Sequence, residues 1–121
     1  MVLIAVDDFL FRSKIRATAK AAGVDVTFAK SADEVLELAR TLNPTMAIFD
    51  LNSNALAPVE TIAAMKQEPA LAGIRTLGFV SHVDTARIDA ARTAGADDVL
   101  ARSAFAGNLA DILLEDKAAR P

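Results

Sequence analysis

Short, unbroken apolar runs recur along this chain, and each is followed by a segment whose apolar residues fall at helical spacing. Val2–Val6, Thr45–Phe49 and Thr76–Val80 are continuous runs, the pattern of strands buried on both faces. Val24, Val26 and Phe28 alternate with Asp25 and Thr27, which predicts a strand with one wetter face. Asp98–Ala101 makes a fifth strand. Between the strands, Phe11, Ile15, Ala19 and Ala22 mark the inner face of a helix that Gly23 stops. Ser31 with Glu34 is a capping-box pattern opening a second helix, with Val35, Leu38, Ala39 and Leu42 inward and Asn43-Pro44 as its end. Pro58 suits the first turn of a third helix carrying Val59, Ile62 and Met65. Asp84 caps a fourth that runs through Ala94 to Gly95. Phe105, Leu109, Ile112 and Leu113 give a fifth, whose end, Glu115–Pro121, reads as a charged, fraying terminus.

Strict alternation of five strands and five helices calls for a parallel sheet covered on both faces and joined by right-handed crossovers. The predicted fold is an α/β three-layer sandwich forming a single domain over residues 1–121, a length with no room for a second. With 26 alanines, six Phe and no Trp or Tyr, the core must be built of small and aliphatic side chains. The absence of cysteine removes disulfides, thiol nucleophiles and Cys-ligated metals. Charge-free stretches such as Leu51 to Val59 fall far short of the roughly 20 residues a membrane helix needs. A sequence pI near 5.0 argues against nucleic acid as a direct partner. Met1 leads into an apolar run with no basic segment before it, so no secretory signal is expected. The expectation is a soluble, cytoplasmic domain.

In open parallel sheets, ligands bind outside the carboxyl ends of the strands. Asp7 and Asp8 follow strand 1, Asp50 closes strand 3, Ser81 follows strand 4 and Arg102 follows strand 5. With strands 1 and 3 side by side, three carboxylates share one rim. Two unit charges about 4 Å apart repel by roughly 4 kcal/mol at an effective dielectric of about 20. Such a cluster takes a cation or holds a proton. Hard oxygens with no His or Cys among them favour Mg²⁺.

These residues resemble those of response-regulator receiver (CheY-like) domains, over Val2 to about Leu114. The resemblance rests on Asp7-Asp8, Asp50, the hydroxyl of Ser81 and the Gly95-Ala96 turn. It implies the flavodoxin-like strand order 2-1-3-4-5, with Asp50 as phosphoryl acceptor. It also implies Mg²⁺ held by Asp7, Asp8, Asp50 and the backbone carbonyl of Asn52, and a contact from Ser81 to a phosphoryl oxygen. Three departures stand out. Arg102-Ser103 replaces the family's Lys-Pro, Val99 replaces a frequent aromatic residue, and Leu51–Ala57 lacks the usual Met-Pro and later Gly. Arg keeps the charge but is longer and planar. It reads either as a phosphate grip or as an ion-pair partner for a neighbouring acid.

The expected function is a stand-alone receiver of two-component signalling, with no output domain and no enzymatic turnover. It would take a phosphoryl group from a histidine kinase or phosphotransfer protein and signal by contact with a downstream protein target, homodimerisation being left open. One alternative is a pseudo-receiver, the same fold acting as a phosphorylation-independent interaction module. A second is a small metal-dependent phosphatase, for which no Gly-rich nucleotide loop or second nucleophile speaks. His82, the only histidine, reads as a loop residue, and Arg12, Lys14, Arg16 and Lys20 of the first helix read as a solvated face.

Overall fold

A computed structural model of the chain describes residues 1–81 and 84–119. Strands β1 (Val2–Ala5), β2 (Val26–Phe28), β3 (Met46–Asp50), β4 (Arg75–Val80) and β5 (Asp98–Ala101) form one parallel sheet in the order β2-β1-β3-β4-β5. Helices α1 (Phe9–Ala22), α2 (Ala32–Leu42), α3 (Pro58–Gln67), α4 (Thr85–Ala94), α5 (Arg102–Gly107) and α6 (Leu109–Ala119) cover it. Side-chain alternation along the strands sends two separate cores to opposite faces. Val2, Ile4, Met46, Ile48, Leu77 and Phe79 pack under α1, α5 and α6. Leu3, Ala5, Ala47, Phe49 and Val80 pack under α2, α3 and α4. This is the three-layer sandwich and strand order expected.

Local signals act as read. Ser31 Oγ accepts from the Glu34 amide at 3.1 Å, Asp84 caps α4, and Gly23 and Gly95 end α1 and α4. Two details differ. The last predicted helix is divided at Asn108, whose backbone N–H is shared between the Ala104 and Phe105 carbonyls at 3.1 and 3.3 Å and whose side chain also donates to Ala104 at 2.8 Å, so six helical segments replace five among the described residues. Of the terminus read as fraying, α6 continues from Glu115 to Ala119, while Arg120 and Pro121 lie outside the described residues. Asp116 is buried there and accepts from the Thr45 hydroxyl and the Met1 amine, each at 2.6 Å, while Arg75 ion-pairs with Glu115 and Asp98. These contacts are remote in sequence, which is why a charged tail alone did not reveal them. No helix among the described residues is long and apolar enough to cross a membrane.

Close packing on β4 brings Gly78 against Leu51, the residue after Asp50. A Cβ at Gly78 would stand 2.8–2.9 Å from three Leu51 side-chain atoms, whereas one at Gly107 meets nothing within 4 Å. Gly78→Ala is therefore expected to destabilise the fold by about 1–3 kcal/mol. Gly107→Ala should instead stabilise it by about 0.5–1 kcal/mol through helix propensity. Urea denaturation of both variants checks the contrast, and a neutral Gly78→Ala contradicts it.

Candidate functional site

The crevice between β1 and β3, where the strand order reverses, is the ligand position of this architecture. The paired register of Ala5 with Phe49 aligns the ends of the two strands, so Asp7, Asp8 and Asp50 emerge on one rim. Their environments are unlike. Asp7 is exposed and accepts from the Ser53 hydroxyl at 2.9 Å. Asp8 caps α1, accepting from the Phe11 amide at 3.0 Å, and its other oxygen receives Arg102 Nη2 at 3.0 Å. Asp50 is buried, with its Oδ1 accepting the Asn52 amide N–H at 2.9 Å.

Burial raises the Asp50 carboxyl above its ordinary range, and the charges of Asp7 and Asp8 push the same way. The Asn52 amide and the Arg102 charge oppose them. Asp8 is lowered, chiefly by the Phe11 amide and then by Arg102. Thus the pocket holds one carboxylate kept ionised and one whose charge is disfavoured.

The residues named from sequence do not all meet. Arg102 reaches Asp8, and the described residues give it no hydrogen bond to Asp50. Its guanidinium also lies over the Phe11 ring, 4.3 Å from the centroid. Ser81 is tied through its backbone, its N–H donating to Asn52 Oδ1 at 2.8 Å. Asn52 thus contributes through its amide and its side chain. Among the described residues no three acids stand close enough to grasp one metal ion together. The donors suit a hard divalent cation in chemistry, but Asp8 is already shared between a helix cap and a guanidinium. His82 lies outside the described residues.

Two participants escaped the sequence reading. Ser53 is buried and holds Asp7, with nothing in its loop neighbours to mark it. Arg87 on α4 donates to the Leu51 carbonyl at 2.6 Å and to Asp84 at 3.3 Å. Its placement three residues after the α4 cap was the available signal. Ala57 precedes α3 at φ 39° and ψ 59°, a left-handed conformation that costs a residue with a Cβ about 1–2 kcal/mol.

No family model matches the sequence, and no curated protein does. Solved structures do. A signal receiver domain from Bermanella marisrubri is 23% identical, with a TM-score of 0.81 over 96% of each chain. Chemotaxis response regulator CheY4 of Vibrio cholerae is 20% identical, TM-score 0.81, covering 94% of this chain and 95% of its own. The receiver domain of a Pseudomonas aeruginosa sensor histidine kinase, with magnesium coordinated in its active-site cleft, is 15% identical, TM-score 0.83, covering 98% and 97%. An open, doubly wound parallel sheet with an acidic rim at its switch point defines the class of this chain. More narrowly, it has the CheY-like fold of response-regulator receiver domains.

Two outcomes follow from the site. Because burial raises Asp50, its folded form favours the proton, and that contribution to stability is lost as pH rises through the raised value. Asp50→Asn should therefore raise the melting temperature at neutral pH, and the gain should shrink on acidification. Melting curves between neutral and mildly acidic pH decide this, and a destabilised Asp50→Asn at pH 7 contradicts it. Second, Asn52→Ala removes the acceptor of the Ser81 amide. Hydrogen exchange at Ser81 should accelerate at least tenfold while exchange in β1 stays unchanged; equal Ser81 rates would show that the bond does not protect it.

Proposed function

We propose that this chain is a receiver of two-component signalling that accepts a phosphoryl group on Asp50 from a histidine kinase or phosphotransfer protein. The observation that carries the reading is the position of Asp50, buried at the end of β3 beside the acidic pair that follows β1. In the transfer, a carboxylate oxygen of Asp50 attacks phosphorus as the bond to the donor breaks, leaving an acyl phosphate. The Asn52 amide holds Oδ1, which leaves the second oxygen as the proposed nucleophile. Arg102 and the Ser81 hydroxyl are the groups proposed to meet the product oxygens.

Mg²⁺ would be held by Asp7, Asp50 and the Asn52 carbonyl, with Asp8 joining, and when bound it supplies positive charge that offsets the phosphoryl oxygens. The magnesium in the Pseudomonas receiver supports this choice of ion. Exposed Phe9 and Leu10 on the first turn of α1 stand beside the pocket and suit contact with a protein donor or target. The pseudo-receiver reading keeps one specific support, the pairing of Arg102 with Asp8 in place of Asp50.

Intact-mass measurement after incubation with Mg²⁺ and a small phosphodonor is the test. Wild type should gain one phosphoryl group and Asp50→Asn none. An inert wild type beside a competent control receiver would favour the pseudo-receiver, and a modified Asp50→Asn would move the acceptor elsewhere.

A further inference from the structure

Among the described residues, one ion pair reaches the acidic rim formed by Asp7, Asp8 and Asp50. The guanidinium of Arg102 bonds Asp8 Oδ2 at 3.0 Å, and its charge reaches Asp50. It is also held from below. Phe11, the ring beneath it, meets Phe79 and Phe105 edge-on at centroid distances of 5.2 and 5.7 Å, and those two stack on each other at 4.6 Å. A planar cation over a fixed aromatic face, with a charge-assisted bond to a carboxylate, is a seat that an ammonium would fill less well.

Asp8 Oδ1 meanwhile serves the α1 cap. Each Asp8 oxygen thus already accepts one donor, and no three acids among the described residues converge on one metal position. A divalent ion on Asp8 Oδ2 would stand against the guanidinium charge already bonded there, and like charges at that range repel. An open cleft of about 260 Å³, lined by Leu10, Phe11, Lys14, Arg102 and Ala106, adjoins the guanidinium and gives it room to leave.

From this geometry we infer that Arg102 is the resident cation of the acidic pocket, and that a divalent metal gains Asp8 only by displacing it. Metal occupancy and the Arg102–Asp8 pair then exclude one another, and each weakens the other by the same factor. The inference deepens the receiver reading, in which a displaced Arg102 becomes available to the phosphoryl group. The exclusion itself needs no phosphorylation.

The test is titration with Mg²⁺ alone, followed by amide NMR, on wild type and Arg102→Met. Methionine keeps an unbranched apolar stem over Phe11 and removes the charge. Arg102→Met should bind Mg²⁺ at least tenfold more tightly, about 1.4 kcal/mol. In wild type, the Arg102 Nε–H signal should move towards that of a free arginine with the same midpoint as the Asp50 and Asp7 amides. Equal affinities, absence of binding in both proteins, or an Arg102 signal that stays fixed while the Asp7 and Asp50 amides saturate would overturn the inference. Phosphorylation of the same samples is scored separately. A wild type inert to donor, with tighter metal binding in Arg102→Met, removes the receiver reading and keeps the exclusion. Two phosphorylated proteins with equal metal affinity remove the exclusion alone.

Discussion

Burial of the Asp50 carboxylate at the end of β3 is the conflict around which the rest of the rim is arranged. Strand β3 lies in the middle of the sheet, flanked by β1 and β4 and covered by both cores, so its last residue cannot stay in water. Desolvation works against the charged form of a carboxylate. The Asn52 amide and the Arg102 charge offset it, while Asp7 and Asp8 aggravate it. Nearby charges act on Asp50 through an interior that screens them poorly.

The loop leaving Asp50 shows how a departure in sequence is compensated in space. It lacks the Gly and Met-Pro usual in receivers, and Ala57 takes the left-handed conformation despite its Cβ. Long-range hydrogen bonds hold the loop nevertheless, among them Ser53 to Asp7, Ser81 N–H to Asn52 and Arg87 to the Leu51 carbonyl. The last two tie the loop to the end of β4 and to α4. The loop leaving Asp50 is thus bonded to α4 through Arg87.

The aromatic triad links core to function on the opposite face. Phe79 stands in register with Asp50 across β3 and β4, stacks on Phe105 of α5 and touches Phe11 of α1. Phe11 both fixes the first turn of α1, through its amide on Asp8, and carries the Arg102 guanidinium. One cluster thus positions a carboxylate and its counter-ion.

Periodicity exposed nearly all of the fold, since continuous runs such as Thr45–Phe49 and helical stripes such as Phe11-Ile15-Ala19 follow from which faces must leave water. Caps at Ser31, Asp84, Gly23 and Gly95 were equally legible, because each depends on residues a few positions apart. The acids of the site were visible for a similar reason: Asp7, Asp8 and Asp50 stand at strand ends, and topology brings strand ends together. Partner choice was not visible. Whether Arg102 meets Asp50 or Asp8, that Ser53 holds Asp7, that Arg87 reaches Leu51 and that Asp116 is buried all depend on side chains many positions apart. Amino-acid order determined the layers and the line of carboxylates through local pattern, while the partners of each charge were decided by tertiary structure, because directional bonds depend on distances that only the packed sheet and helices set.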